Sequence, residues 1–223
     1  MDPRQIILKH TRISSPPLCP EIRMHLITEA CPLWRASDQD LEKLGLDEPF
    51  WGFAWAGGQA LARYLLDHPE LAKGRRVLDI GCGGGIEAIA AALCGAIEVE
   101  AWDVDPLAIE ALRLNAALNH TLVRGRHGDP MQAPDTTSAD LILAGDMSYD
   151  AAITNQIIDW LRAHHRSGAK ILLADPKRGF FKGANDFSII ANLNAPSDVD
   201  VDGRYMRQTT IYGLGWTATA AAR

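Results

Sequence analysis

The sequence has no apolar run of about 18 residues, the length that a membrane-spanning helix requires. Its first residues lack the apolar core of a signal peptide. Lysine and arginine form no block, and the 223-residue chain carries a formal net charge of −6, which argues against nucleic-acid binding through the phosphate backbone. The acidic balance fits a partner that presents lysines, and equally a surface that is merely well solvated.

Cysteine is scarce, and its spacing excludes the common cysteine-based sites. The four cysteines are Cys19, Cys31, Cys82 and Cys94, and none of them forms a C-x-x-C pair. Neither a zinc site nor a redox pair is indicated, and the scattered histidines suggest no metal site. We therefore expect no metal, and a reducing compartment such as the cytoplasm.

An apolar strand that ends in an acid and a glycine-rich turn is the most informative stretch, VLDIGCGGG at 77–85. Gly81, Gly83 and Gly85 give the spacing G-x-G-x-G, whereas a dinucleotide-binding loop would place glycine where this chain has Ile86. Glycine allows a sharp turn and the close approach of a ligand. The helix that follows offers free N–H groups to an anion. A tight turn without a ligand is the alternative.

A second apolar strand, 99–103, ends in Asp103, about 20 residues after the glycines. Doubly wound folds place a carboxylate there that accepts hydrogen bonds from ribose hydroxyls. Asp105 and Pro106 then suit the N-cap and the first position of a helix. These elements together make one half of a mononucleotide-binding α/β fold.

The rest of the chain predicts alternating strands and helices, with an antiparallel end. We expect helices over Glu21–Ala30, Asp38–Leu44 (capped by Ser37), Gln59–Leu66 and 151–164, strands over 75–80, 121–126, 140–145 and 170–175, and a hairpin within 198–216. This order favours an α/β fold with a mostly parallel sheet and one antiparallel strand.

The strand 141–145 runs into Asp146, Met147, Ser148 and Tyr149. Ligands of open α/β sheets bind at the carboxyl ends of the strands, so Asp146 and Tyr149 are expected at the reacting group. Asp146 also suits a helix N-cap, and Asp150 is the simplest cap for the helix that begins at 151.

Three segments carry a resemblance to a known family. They are PFWGFAWAGGQALARYLLD at 49–67, GDMSYD at 145–150 and DPKR at 175–178, with the glycine loop between the first two. The chain resembles class I (seven-β-strand) S-adenosylmethionine (SAM)-dependent protein lysine methyltransferases, and among them those of the electron-transfer-flavoprotein β subunit. The resemblance runs from about Thr11 to Trp216. It implies a Rossmann-like, mostly parallel seven-stranded sheet with a terminal antiparallel hairpin, SAM as cofactor and a protein lysine as acceptor.

The same resemblance assigns the site residues. It implies a SAM site lined by Trp55, Asp79, Gly81, Gly83 and Asp103, with Asp129 near the adenine, and a substrate lysine held by Asp146 and Tyr149 as the catalytic pair. Two residues depart from the family pattern: Ser148, where relatives carry a bulkier residue, and Lys177, where they carry glycine. Both departures concern the expected mouth for the substrate, so they affect the choice of substrate more than the reaction.

Methyl transfer to lysine requires a neutral amine, and near pH 8 less than about 1% of free lysine is neutral, a cost of about 3 kcal/mol. A carboxylate such as Asp146 raises the pKa of a neighbouring ammonium, so its expected role is to capture and aim the lysine. Phe50, Trp51, Phe53 and Trp55 suit a lysine channel and core packing equally. Lys177 and Arg178 suit an acidic substrate patch, although a surface role is the more common one for such residues.

We expect an N-terminal helical or loop extension at 1–54, a SAM-binding methyltransferase domain at 55–216 and a frayed tail at 217–223. The predicted substrate is the electron-transfer-flavoprotein β subunit. The alternatives are a ribosomal protein, a small amine, and a SAM-binding module without catalysis. Because the chain begins almost directly at the family region, a cytoplasmic protein is expected rather than one with a mitochondrial presequence.

Overall fold

The computed structural model describes residues 2–133, 138–181, 183, 185–197 and 202–216. Its N-terminal segment contains α1 (Pro3–His10), β1 (Arg12–Ser14), β2 (Met24–Leu26) and α2 (Asp38–Leu44), with 3₁₀ turns at Pro32–Arg35 and Phe50–Gly52. Ser37 caps α2 as predicted, and it forms a capping box with Asp40. The predicted tail at 217–223 lies outside the described residues.

The helix predicted over Glu21–Ala30 is wrong, because β2 lies inside that range and pairs antiparallel with β1. All three residues of β2 are buried, and the backbone N–H of His25 donates to the Asn115 side chain at 2.8 Å. Burial and this tertiary hydrogen bond outweigh the local helix preference of the segment. The helix α1 was not predicted, although Asp2 caps it and Pro3 occupies its first position.

Strands and helices alternate from residue 56 onward. In chain order they are α3 (Ala56–Asp67), β3 (Arg76–Ile80), α4 (Ile86–Leu93), β4 (Glu98–Asp103), α5 (Pro106–Leu118), β5 (Arg124–His127), β6 (Leu141–Gly145), α6 (Ala151–Arg166), β7 (Lys170–Asp175), β8 (Ser188–Pro196) and β9 (Met206–Leu214). The strand predicted at 121–126 starts later than expected, and Leu122 is 93% exposed, so its apolar character marks no buried strand. The predicted terminal hairpin is present, but its first strand already begins at Ser188.

The seven strands β3 to β9 form one sheet in the order β5-β4-β3-β6-β7-β9-β8. β9 runs antiparallel to both neighbours, and the other described pairs are parallel, so the predicted Rossmann-like, mostly parallel seven-stranded sheet with a terminal antiparallel hairpin is confirmed. The strand order reverses between β3 and β6, and ligands of such sheets bind at this switch point, outside the carboxyl ends of the strands.

Helices cover both faces of the sheet, as the continuous burial of the central strands β3, β6 and β7 requires. On one face, Val77 and Leu143 join a core with α3, α4 and α5, while Leu78 and Ile142 on the other face pack with α6. Among the described residues, no helix is long and apolar enough to cross a membrane.

Candidate active site

The glycine loop follows β3 and adopts the backbone that its sequence predicts. Gly81, Gly83 and Gly85 have φ values of 64°, 50° and 85°, a left-handed region that glycine enters without strain. A side chain at Gly81 would overlap the thioether of Met147. At Gly83 the same position is open, with the nearest atom, the Cα of Trp51, 3.9 Å away. The loop therefore leaves room for a ligand at its middle glycine.

Asp103 closes the end of β4 against this loop. Its Oδ2 accepts the Gly83 N–H at 2.8 Å, and its Oδ1 accepts the Asp105 N–H at 2.9 Å. Burial raises the pKa of this carboxyl, while the hydrogen bonds from the loop lower it. A carboxylate offers about four acceptor positions, so two remain for a ligand such as a ribose diol. Gly83 and Asp103, both predicted to line the SAM site, are therefore in direct contact.

Asp79 lies beneath the glycine loop and is fully buried. Its Oδ2 accepts the Ala88 N–H at 3.1 Å, while its Oδ1 has no partner among the described residues. Burial raises the pKa of Asp79 to about 8. This carboxylate thus ties β3 to the first turn of α4 from below the loop.

Glu87, which was not predicted, is the neighbour of Asp79. Both side chains are buried, and burial together with the charge of Asp79 raises the pKa of Glu87 well above its usual range. A side chain at Gly145 would overlap the Glu87 carboxyl, so this acid reaches from α4 to the end of β6. The sequence could have indicated a role for Glu87, because it is the one acid among the apolar residues of α4. Burying such a side chain without a partner is costly.

Asp129 lies in the turn after β5, next to β4 in the sheet. Its carboxylate accepts the Met131 N–H and the Gln132 side-chain amide, both at 2.9 Å. These bonds fix the turn that follows β5 at the same sheet edge as Asp103.

Asp146 stands directly after β6 with φ of 55°, a left-handed conformation that is uncommon outside glycine. Its N–H donates to the Ala174 carbonyl, which fixes this backbone to the end of β7. Oδ2 accepts the Gly57 N–H from α3 at 2.5 Å, and Oδ1 accepts Nη2 and Nε of Arg178 at 2.7 and 3.0 Å. Burial raises the pKa of this carboxyl, and the Arg178 guanidinium opposes that rise. The Asp146 side chain therefore lies where three elements converge.

The alternative role of Asp146 as a helix N-cap is excluded, because Asp150 caps α6. The Asp150 carboxylate accepts the N–H groups of Ala152 and Ile153 at 2.8 and 3.0 Å, as predicted. Asp105 and Pro106 likewise begin α5 as predicted.

Arg178 was expected at the surface, but the structure buries most of its side chain. Its side chain is 16% exposed and forms ion pairs with Asp146 and Asp202, and its guanidinium carbon lies 5.6 Å from the centre of the Trp55 ring. Burying an arginine requires paired carboxylates, and two acids supply them here. The sequence could have indicated this role, because Arg178 follows the carboxyl end of β7 and such positions face the switch point of the sheet.

Tyr149 follows β6 by four residues and is half-exposed. Burial raises the pKa of its phenol, and the negative charges of Asp103, Asp150 and Asp129 raise it further. The negative charge of Asp103 therefore acts on the Tyr149 phenol, while about half of the side chain is exposed to solvent.

The aromatic residues at 50–55 were expected either to line a lysine channel or to pack in the core, and the structure shows different surroundings for Trp51 and Trp55. Trp51 is buried and packs with α1 and α5 as part of the core. Trp55 is partly exposed, donates its indole N–H to the Phe50 carbonyl at 2.8 Å, and packs edge-on against Phe50 and Phe53. A cavity of about 550 Å³ borders Trp55, Phe53 and Trp34.

The two departures from the family pattern have different surroundings. Ser148 is buried and donates its hydroxyl to Asp175 Oδ1 at 2.5 Å, so it braces the ends of β6 and β7. Lys177 is exposed, with φ of 56°, and donates to Gln208 at 2.6 Å. Of the two, only Lys177 presents its side chain to solvent at the mouth.

The donors and acceptors present fit SAM. An open glycine backbone, a carboxylate with free acceptor positions and a buried acid beneath the loop suit a ligand with a ribose and a cationic centre. Within the described part of the chain, no cluster of three or more His, Cys, Asp or Glu side chains is arranged to hold a metal ion.

Comparison with known proteins gives consistent matches. The family model described as Ribosomal protein L11 methyltransferase (PrmA) matches residues 59–173. The chain is 46% identical over 180 residues to the Electron transfer flavoprotein beta subunit lysine methyltransferase of Xenopus laevis, covering 80% of this chain and 72% of that protein. The protein of the same name from Danio rerio is 41% identical and covers 95% of this chain and 83% of its own length.

A solved structure extends the match to the fold alone. The magnesium protoporphyrin IX methyltransferase of Synechocystis PCC 6803, with bound SAM, superposes with a TM-score of 0.53 at 16% identity, covering 84% of this chain and 100% of that chain.

Proposed function

The chain belongs to the electron-transfer-flavoprotein β-subunit lysine methyltransferase family, and from this premise we propose that it methylates a lysine of the β subunit of an electron-transfer flavoprotein. The protein is a SAM-dependent protein-lysine N-methyltransferase with a class I fold. Its reaction transfers a methyl group from the cofactor to a side chain of another protein, so the site has to hold both next to each other.

One observation carries the proposal: two acids stand at the ends of β4 and β6, on either side of the glycine loop. Asp103 is bonded to Gly83, and Asp146 is bonded to Gly57 and Arg178. A cofactor on the loop and a cation at Asp146 would therefore meet at the switch point of the sheet.

On the cofactor side, we assign the ribose to Asp103, the adenine to the turn at Asp129, and the amino-acid end to the loop backbone at Gly81 and Gly83. Asp79 acts from below as the brace of that loop, and Trp55 forms a wall of the site. When bound, SAM supplies a methyl group on a cationic sulfonium.

On the substrate side, Asp146 receives the lysine and Tyr149 packs along its stem. A neutral amine is required, and the negative charge of Asp146 alone would favour the ammonium form. The role of Asp146 is accordingly to position the amine, and holding two reactants in line supplies much of the rate. Tyr149 shields the lysine from water and offers one hydrogen bond.

A ribosomal protein is the second candidate substrate, because the ribosomal-protein methyltransferase model matches the core of this chain. That model ends at residue 173, before Arg178 and the terminal hairpin. The part of the mouth that it leaves out is the part that borders Asp146, which supports the flavoprotein.

We also propose that residues 55–216 are the SAM-binding domain and that 1–54 extends it on the substrate side. Contact of Trp55 with both Phe53 and Arg178 supports this division of roles. The cytoplasm is the proposed location, and the four free, buried cysteines fit a reducing compartment.

A competition experiment tests the substrate. The protein and SAM are incubated with equimolar electron-transfer flavoprotein and ribosomal protein L11 in one mixture, and both are followed by intact-mass spectrometry. Methyl additions on the flavoprotein β subunit well before any on L11 are expected. Preferential methylation of L11 would replace the flavoprotein by the second candidate, and no addition to either would refute both substrates.

A further inference from the structure

We propose that Arg178 remains bound to Asp146 during methyl transfer and cancels the charge of that carboxylate, so that Asp146 aims the substrate lysine without holding it as an ammonium. This inference rests on the proposed function, because it concerns the lysine that Asp146 receives. Arg178 is thereby a positioning residue, since it acts on the substrate through Asp146.

The hydrogen bonds of Asp146 leave space for one more donor. A carboxylate accepts at about four positions. Arg178 fills two of them at Oδ1, and the Gly57 N–H fills a third at Oδ2. One position at Oδ2 remains for a single N–H of an incoming amine. An amine held by one N–H is oriented while its lone pair stays available for the methyl carbon.

The charges around Asp146 balance. Arg178 lies against Asp146 and Asp202, and Arg207 lies against Asp202 at 2.9 Å. Two acids and two arginines thus alternate, with no net charge among the four. The other groups that face this pair are the Asp175 carboxyl, at the end of β7, and the buried Glu87 of α4. Without Arg178, the amine would meet an uncompensated carboxylate in a poorly solvated place, where ion pairing favours the ammonium strongly.

Arg178 is also held too firmly to be a temporary occupant. Its guanidinium is bracketed by two carboxylates and lies over the Trp55 ring. Asp202 is itself fixed by the Ser197 hydroxyl at 2.7 Å and by Arg207. Releasing Arg178 to make room for lysine would break its ion pairs with both Asp146 and Asp202 and its contact with the Trp55 ring, at a substantial cost.

The opposite role makes the opposite prediction. If Arg178 merely occupies the lysine position and leaves on binding, its removal would free Asp146 and lower KM. If Arg178 stays, its removal raises the pKa of the bound lysine and also that of Asp146. Both changes move the acidic limb of the pH–rate profile to higher pH.

The test compares Arg178→Gln, Arg178→Lys and the wild type by the pH dependence of the single-turnover rate at saturating SAM and protein substrate. We expect the acidic limb of Arg178→Gln to move up by about one pH unit, the lower end of the effect of one nearby charge. Arg178→Lys, which keeps the charge, is expected to restore most of the shift. Arg162→Gln is the matched control, since Arg162 is an ion-paired arginine on α6 bonded to Asp186 and Asp159.

A reduced rate with an unshifted limb in Arg178→Gln would overturn the inference, and so would a lower KM with an unchanged limb. A second readout requires no turnover: ¹³C-carboxyl NMR titration of Asp146 is expected to show a higher pKa in Arg178→Gln than in the wild type, because the guanidinium now opposes the effect of burial. An equal pKa in both would contradict the inference. Failure of the proposed function is distinguishable, since it appears as a wild type that methylates no lysine.

Discussion

At the residue scale, the site is a set of acids whose environments differ. Asp103 accepts backbone N–H groups and keeps free positions, Asp79 is buried with Glu87, and Asp146 is neutralised by Arg178. The same side-chain chemistry therefore serves ligand binding, loop support and substrate positioning. Burial and partners decide which role each acid takes.

Asp103→Asn tests the assignment of the ribose acceptor. Loss of the charge weakens the hydrogen bonds from two hydroxyls, and such bonds to charged groups contribute about 1.5–3 kcal/mol each. We expect the dissociation constant for SAM to rise about 10- to 100-fold, measured by isothermal titration calorimetry.

Asp105→Asn is the matched control, two residues further along. Asp105 caps α5, and asparagine caps helices as well as aspartate does, so SAM affinity should stay near the wild-type value. Equal losses in both variants would count against a specific role for Asp103.

The sequence predicted the acids at Asp103 and Asp146 because each ends an apolar strand of a recognisable α/β order. It did not predict the partners Arg178 and Glu87, which come from distant elements or from within a helix. Their roles depend on which side chains meet at the switch point, and a single sequence contains no contact information. Ser148 was expected at the substrate mouth, whereas it donates inward to Asp175.

At the element scale, caps and glycines set the ends of the helices around the site. The predicted α2, with its Ser37 cap, and α5, with Asp105 and Pro106, are both present. These ends are local, so local residues suffice to predict them. The segment around β2 fails as a helix for the converse reason, since its backbone bonds to Asn115 of α5.

The buried pair of β3 and α4 makes stability depend on pH. Burial raises the pKa of Asp79 and Glu87 in the folded state, so the folded protein binds more protons than the unfolded chain. The stability that these two groups contribute through proton binding is fully present below their unfolded pKa values, near pH 4. It is lost as the pH rises toward 8 and above. The free energy of unfolding of the SAM-free wild type should fall over that range.

Glu87→Gln removes one of the two ionisable groups and keeps a side chain of nearly the same size. Urea denaturation is expected to show that its stability relative to the wild type improves by more than about 1 kcal/mol between pH 5 and pH 9. Glu42→Gln changes an exposed acid on α2 and should leave the difference flat. A constant offset for Glu87→Gln at every pH would exclude the buried pair as the cause.

At the scale of the whole molecule, the sheet brings together the loop after β3 and the carboxyl ends of β4, β6 and β7. The N-terminal segment packs next to them. The mostly parallel sheet with an antiparallel end follows from the alternation of strands and helices and was therefore predictable. The docking of residues before α3 was not, because their contacts with α5 span about 90 positions of sequence.

Asn115 of α5 links the two parts. Its carbonyl accepts the His25 N–H at 2.8 Å, and its amide donates to the Gly84 carbonyl at 2.9 Å, so one buried side chain ties β2 to the glycine loop. Asn115→Ala leaves two backbone groups unpaired, at about 1–3 kcal/mol. We expect lower stability by urea denaturation together with several-fold weaker SAM binding.

Asn119→Ala is the control, because the Asn119 side chain accepts the Arg23 N–H and donates to the Arg23 carbonyl, whereas its bonds do not include the glycine loop. Its loss should loosen the N-terminal segment while SAM affinity persists. If the two variants affect SAM binding equally, the link through Gly84 is not what supports the loop.

The central claim is that Asp146 positions a lysine of the electron-transfer-flavoprotein β subunit for methylation from SAM. Its most direct test is intact-mass spectrometry of the purified flavoprotein after incubation with SAM and either the wild type or Asp146→Asn. The wild type should add mass to the β subunit in steps of one methyl group, while Asp146→Asn adds none and still binds SAM in calorimetry. An unchanged β subunit with the wild type, or normal methylation by Asp146→Asn, would contradict the account.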